Sequence, residues 1–530
     1  MDFVSIVLVG LPMVVSLLLL SLVGLVPAAL RPRLAVPMRL VTFVVGVVLF
    51  LVTTGMFFGT LGEVDWLGIG FNTYVFEEQY TWIESLGVTW HVGLDALSFP
   101  MVWLTAFLLP VTQIATWNEK RGEVYHPLIL LMGATLIGVF VSLDLFMFYI
   151  FWELTLIPMF FLILKWGGAE RRYAAQKFFI YTFTASVVML LGLVTLYFLQ
   201  QPTQAGAYAG SFTGRSFDLV HLSEVAMAAN TDGVFLGKTM QAVLFVMLML
   251  GFLVKLPAAP FHTWLPDAHV QAPTGGSMLL AGVMLKMGAY GMFRIPVTLF
   301  PHALEQFQFA LMLFGFVSLV YGAIVCLGQT NLKKMVAYSS VSHMGVILLG
   351  IASQQPIGYA AALFMMFAHG IISPMLFAVC GAFKHHYHSM EIGAMRGMAK
   401  HSPWIATSMM FGWMASLGLP LLAGFVAEFM LLVAYWATFG WWILGPGLAL
   451  AITAAYYLWS MQRTIFEGGE ATQPPAGMEG KPIPDLDTSE KVAMLILAAA
   501  TVLFGIFPFI ALDMMDAWTQ AAFAVLFGGA

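Results

Sequence analysis

Apolar runs of about 20 residues, divided by short polar punctuation, fill nearly the whole chain, and a helix of that length crosses ~30 Å of hydrocarbon. The pattern predicts an all-α polytopic membrane protein with fourteen spans. They lie near 3–27, 37–59, 95–116, 126–144, 145–165, 176–199, 240–273, 274–299, 306–328, 335–353, 357–383, 403–438, 441–465 and 490–510. Three of them, 240–273, 357–383 and 403–438, are too long for one simple span and carry internal proline, so half-helices meeting near the midplane are expected there. The first run has neither a basic flank nor a small-residue cleavage site and reads as a retained span. Glu467–Thr488, with Pro474, Pro475, Pro482 and Pro484, reads as an irregular linker. The tail, Ala511–Ala530, with Asp513 and Asp516 in an apolar spacing, reads as an amphipathic surface helix.

Composition agrees: 60% of residues are hydrophobic and 9% charged, against about 25% charged in soluble domains. In such a chain the net charge of -5 says little about partners, and no feature points to nucleic acid. Cys326 and Cys380 are the only cysteines and both lie in apolar runs, which excludes a disulfide framework or a cysteine-ligated cluster. Any redox cofactor is therefore expected in another chain.

Positive charge orients the spans. With Met1 outside, seventeen lysines and arginines fall in inner connections, against three, Arg215, Lys238 and Arg294, in outer ones. Lys255 and Lys286 remain inside spans. Both termini are thus predicted on the outer, periplasmic side of a bacterial inner membrane. The outer connections 60–94 and 200–239 carry no metal or nucleotide pattern.

The chemistry concentrates in Leu253–Arg294, where two lysines lie in apolar runs with Pro257, Pro260, Pro266 and Pro273 between them. Glu153, Lys286 and His343 fall near the middles of their spans, while Lys255, His369 and Glu428 lie beside expected breaks. A charged group at a span centre costs about 2.5–3.5 kcal/mol on insertion scales. Six at one depth predict a proton relay, in which a moving neighbour switches each site between loaded and empty. Against this stand blander roles: a lone histidine can bond across helices, and Lys255 or Glu153 can be a structural ion pair. His269 is a possible extension of the relay, while His262 and Asp267 read as pins for the broken helix. His385, His386 and His388 have the look of a metal tract, but at a helix end beside Lys384 they read as a solvated interfacial cluster, and no metal site is predicted.

Val254–Pro257 (VKLP) and Leu417–Pro420 (LGLP) lie in broken spans five apart, and so run in opposite directions, as inverted repeats do. The expected division is 1–125 as an N-terminal three-helix region, 126–299 and 300–465 as inverted five-helix repeats, and 466–530 as inner linker, last span and tail.

The segments GLDALSF (Gly93–Phe99), FWELTLIPMF (Phe151–Phe160), Lys255–Gly291, NLKKMVAYSSVSHMG (Asn331–Gly345) and GFVAEF (Gly424–Phe429) resemble the antiporter-like proton-pumping subunits of respiratory complex I. The similarity is strongest to the subunit M family of NADH-quinone oxidoreductase, equivalent to NADH dehydrogenase subunit 4. Glu428 marks that branch, since the sister subunits L and N carry lysine there. The resemblance implies that Glu153 and Lys255 form the pair of a first half-channel, that Lys286 is the central lysine and His343 and His369 the linking histidines, and that Glu428 is the terminal acid. It implies no cofactor in this chain, with NADH, FMN, iron–sulfur clusters and quinone handled by other subunits, and subunits L and N as neighbours in the bilayer. Multisubunit Na⁺/H⁺ antiporters and membrane-bound hydrogenases share the fold and supply the alternatives.

Overall fold

A computed structural model describes residues 4–59, 65–66, 68, 71–200, 215–232, 236–394, 396–466 and 485–527. Most of the linker predicted at 467–488 lies outside the described residues.

A backbone in lipid must satisfy its own polar groups, which leaves the helix as the local solution for uninterrupted apolar sequence. The first helices are α1 (Leu11–Leu25), α2 (Ala35–Phe57), α3 (Phe99–Ala115) and α4 (Gly122–Val141), with a hairpin, β1 (Val75–Ile83) and β2 (Val88–Leu94), before α3. There follow α5 (Leu145–Leu154), α6 (Leu156–Trp166), α7 (Arg171–Leu199), α8 (Leu219–Asp232), α9 (Lys238–Lys255), α10 (Trp264–Gln271), α11 (Thr274–Leu279), α12 (Lys286–Met292) and α13 (Pro301–Gln306). The second half holds α14 (Gln308–Leu327), α15 (Leu332–Ser353), α16 (Pro356–Tyr387), α17 (Met398–His401), α18 (Pro403–Ser416), α19 (Ala423–Phe439), α20 (Leu444–Met461), α21 (Thr488–Ile506) and α22 (Phe509–Leu526). Among the described residues, thirteen helical stretches are long and apolar enough to cross a membrane, and α3 is a shorter apolar helix.

Two of the three expected breaks are present. The chain leaves helical geometry between α9 and α10, over Leu256–Thr263, and between α18 and α19, over Leu417–Leu422. The third is not: α16 runs unbroken for 32 residues through Pro374. A proline removes one intrahelical hydrogen bond and can kink a helix without ending it; beside it Gly282 and Gly370 let two backbones approach, and a Cβ on Gly370 would lie 2.9 Å from the Gly282 carbonyl oxygen. Gly282 sits in a π-helical turn, Leu280–Met284, that interrupts the span between α11 and α12. α16 is the hub, packing against α15, α18, α19, α21 and α22.

The hairpin falls where sequence reading expected only a connection. Its strands are antiparallel, with Tyr80 opposite Trp90 and Glu78 opposite Val92. The Glu78 carboxylate accepts from the Val4 and Ser5 amides at 2.6 and 3.1 Å, placing a negative charge on the donors that a helix N-terminus leaves free. The bundle thus has a hairpin face and, opposite it, a lysine-rich face where Lys120, Lys333 and Lys384 approach one cavity. α22 packs through Trp518 and Phe523 on Phe71, Phe293 and Tyr359, all toward the hairpin face.

Candidate functional site

The break after α9 places Lys255 at a helix end, 1% exposed. Its Nζ donates to Thr155 Oγ1 at 3.4 Å and lies 5.3 Å from the Trp152 ring centroid. Glu153, between those two residues in sequence, is half-buried and accepts from Ser186 Oγ. Glu153 and Lys255 are close enough to feel each other's charge, but each is held by its own hydroxyl partner. Gly288 on α12 permits this packing, since a Cβ there would lie 2.7 Å from the Leu256 amide nitrogen.

Lys286, wholly buried, is the first residue of α12 after the π-turn. Such a turn shifts the hydrogen-bond ladder, and the Lys286 ammonium donates to the Ala281 carbonyl. It also lies 2.8 Å from His369 Nδ1, which therefore faces it as an acceptor. His369 and His343 meet edge to face with centroids 5.2 Å apart. His343 Nε2 is 3.1 Å from the Ser416 carbonyl and 3.8 Å from Glu428 Oε1. A tautomer carrying the proton on Nε2 fits that carbonyl and leaves Nδ1 as an acceptor. Gly418, at φ +80°, closes the row: a Cβ on it would collide with Glu428 Oε2.

Six predicted residues thus form two groups. Lys286, His369, His343 and Glu428 are one contiguous row across α12, α16, α15 and α19. Glu153 and Lys255 form a separate pair, and no hydrogen bond or ion pair links that pair directly to Lys286 among the described residues. His269 lies off the row, stacked on Phe377 at 4.1 Å. Asp267 pairs with Lys177 at 2.6 Å, in keeping with a role in pinning α10.

Lys333, counted as an inner-loop charge from sequence, is 2% exposed and donates to the Ala272 carbonyl at 2.6 Å. It lines a cavity of about 360 Å³ at the lysine-rich face, with Glu119, Thr274, Lys384, His385 and Glu490. Burial pushes the Glu119 carboxyl up, against the lowering influence of the Lys120 amide and the nearby Lys384 and His385.

Arg294 is likewise no loop charge. It forms a bidentate pair with Asp95, at 2.8 and 2.6 Å, and touches the Tyr74 and Tyr290 hydroxyls. Nearby on the hairpin face, His91 lies between Asp218, 2.5 Å from Nδ1, and Glu77, 2.7 Å from Nε2. Burial alone lowers its pKa, but hydrogen bonding and charge from Asp218, then Glu77, leave it raised. Asp144 caps α5 through the Phe146 and Met147 amides, and burial outweighs those bonds, lifting its carboxyl to about 6. Sequence reading missed the cluster of His91, Glu77, Asp218 and Asp144 because its members are far apart in the chain; the aspartate before the apolar run of α5 was the one local signal.

Residues 142–453 match the family described as NADH:quinone oxidoreductase/Mrp antiporter, transmembrane. The chain is 40% identical to the F(420)H(2) dehydrogenase subunit M of Methanosarcina mazei, over 86% of this chain and 91% of that protein. It is also 40% identical to NADH-quinone oxidoreductase subunit M of Rhodobacter capsulatus, over 83% of each. A chain of Thermus thermophilus respiratory complex I superposes with a TM-score of 0.80 at 27% identity, covering 98% of this chain and 100% of that one.

Proposed function

The chain belongs to the NADH:quinone oxidoreductase/Mrp antiporter membrane family, and from that premise we propose how its buried charges move protons. It is a proton-translocating membrane subunit of the NADH-quinone oxidoreductase type. The observation that carries the relay is the succession Lys286, His369, His343, Glu428, each adjoining the next.

A Lys286 ammonium donates toward His369 Nδ1, so the proton passes to the imidazole when the lysine is made less basic, and the neutral amine can then be reloaded. His369 and His343 adjoin, and a ring rotation or a water carries the proton between them. The last step is longer: 3.8 Å to Glu428 exceeds a hydrogen bond, so protons wait at His343 until the carboxylate approaches. Glu153 and Lys255 act as the separate switch. When they close on one another both hold their charges; when they part, low dielectric favours neutral forms and Lys255 releases a proton. That electrostatic change is the signal passed to Lys286. His269 lies within the field of Lys333 and Lys286 and serves as a lateral branch toward the cavity.

The inverted repeats are assigned to 126–299 and 300–465, each with one broken span, the 1–125 region and the segment beyond 466 flanking them. The sister subunits L and N of such a complex are the proposed neighbours, with the lysine-rich face cytoplasmic and both termini periplasmic. Cofactors and quinone chemistry are assigned to other subunits. Equal identity to an NADH-linked and an F(420)H(2)-linked subunit M fits a chain that does not itself select the electron donor. Both relatives are subunits of redox complexes, which favours a redox-driven pump over a Na⁺/H⁺ antiporter.

The test is donor-driven acidification of inverted vesicles measured beside quinone reduction, for the parent and Lys255→Ala. Both rates fall together if the chain is a coupled pump. Unchanged redox-driven pumping with loss of Na⁺-dependent proton exchange overturns the assignment in favour of the antiporter.

A further inference from the structure

The histidine run at the end of α16 meets two carboxylates delivered by the first turn of α21. His385 Nδ1 lies 3.3 Å from Glu490 Oε1, and His386 Nε2 lies 2.8 Å from Glu490 Oε2. Asp487 joins them, and one donor atom from each of the four residues falls within 4.8 Å of the others. Tetrahedral zinc, with bonds of about 2.0–2.2 Å, holds its donors about 3.4 Å apart. The two histidine–glutamate contacts, 3.3 and 2.8 Å, lie close to that value, and none of the four donors is more than 4.8 Å from another.

The donor set is two imidazoles and two carboxylates, which suits borderline divalent transition ions. We propose that His385, His386, Asp487 and Glu490 form a binding site for such an ion, Zn²⁺ above all, that staples α16 to α21 at the rim of the lysine-rich cavity. Two carboxylates supply the charge that Lys384 and Lys491 beside the site would otherwise make repulsive. The exposed His385 side chain, at 57%, gives access, while His386 and Glu490, at 7% and 13%, hold the inner positions. Zinc would displace the protons these imidazoles share with Glu490 and take their place between the helices.

The helix start survives a conservative change. Glu490 and Asp487 form a reciprocal capping box, in which glutamine replaces glutamate without loss of the motif, whereas an amide is a poor zinc donor. The experiment titrates the purified whole complex with ZnCl₂ and, separately, CoCl₂, for the parent, Glu490→Gln and the double variant His385→Gln/His386→Gln. The parent is expected to bind one more Zn²⁺ per copy of this chain than the double variant and to give the intense visible bands of tetrahedral Co²⁺. Glu490→Gln, which removes a ligand itself, is expected to weaken binding by at least the about tenfold that losing a ligand's outer hydrogen-bond partner costs. Equal Zn²⁺ stoichiometry and equal Co²⁺ spectra in all three complexes would overturn the proposal.

Discussion

Lys286 Nζ stands 2.8 Å from His369 Nδ1, with both groups buried and the Ala281 carbonyl as the lysine's other partner. The ammonium is therefore held by a neutral imidazole and a peptide dipole, with no acid in contact among the described residues. Lys286→Met removes a costly buried cation while keeping its length. Assembly of the complex, seen on native gels, should equal the parent's. Proton pumping should fall about tenfold or more, which corresponds to ~1.4 kcal/mol or more of barrier. Parent-level pumping in this variant would remove the lysine from the path.

Gly418→Ala tests the other end of the row. At φ +80° and against Glu428 Oε2, the new methyl meets two penalties: backbone strain of about 1–3 kcal/mol and expulsion of the carboxylate from its place beside His343. The variant should mimic Glu428→Gln in pumping rate, though it leaves every titratable group intact. Measuring the two in the same vesicles decides it; a Gly418→Ala complex that pumps normally would show that Glu428 works from elsewhere.

The six candidate residues were legible because a Glu, Lys or His is conspicuous in a span, where its burial is costly. Their grouping was not. Sequence offered six residues at one depth, and only packing separated Glu153 and Lys255 from the row that begins at Lys286. The breaks beside Pro257 and Pro420 were readable, but the continuity of α16 through Pro374 was not, since a proline inside an apolar run reads alike whether the helix kinks or breaks. Ser186 and Thr155 were equally silent, since hydroxyls in apolar helices commonly bond their own preceding carbonyls, as Thr182 does with Phe178. Lys333 and Arg294 were assigned to loops because charge near a span end is normally solvated; here each found a buried acceptor instead.

Arg294 and Asp95 tie α3's approach to the end of the central span, with side chains 5% and 0% exposed. Arg294→Gln leaves the Asp95 carboxylate buried without its cation, an imbalance that costs about 3–5 kcal/mol. Thermal unfolding of the purified complex should move to markedly lower temperature. Adding Asp95→Asn removes the stranded charge and should recover part of the loss. If the double variant is no more stable than Arg294→Gln, the pair is not the source of the stability.

His91 makes the hairpin face sensitive to pH. Its pKa is raised above 6.5 because Asp218 and Glu77 outweigh burial, so folding favours the imidazolium. The stabilisation is fully present below about 6.5, the value in the unfolded chain, and is lost as pH rises through the higher folded value. His91→Gln keeps a polar group of similar reach and loses the charge. The gap in melting temperature between parent and variant should therefore be widest near pH 6 and narrow steadily toward pH 9. Row variants such as Lys286→Met should leave that profile in place, because His91 keeps both acidic neighbours in them. A gap that widens with rising pH would mean that His91 is held neutral in the fold, with its pKa lowered below 6.5 and burial outweighing both acids.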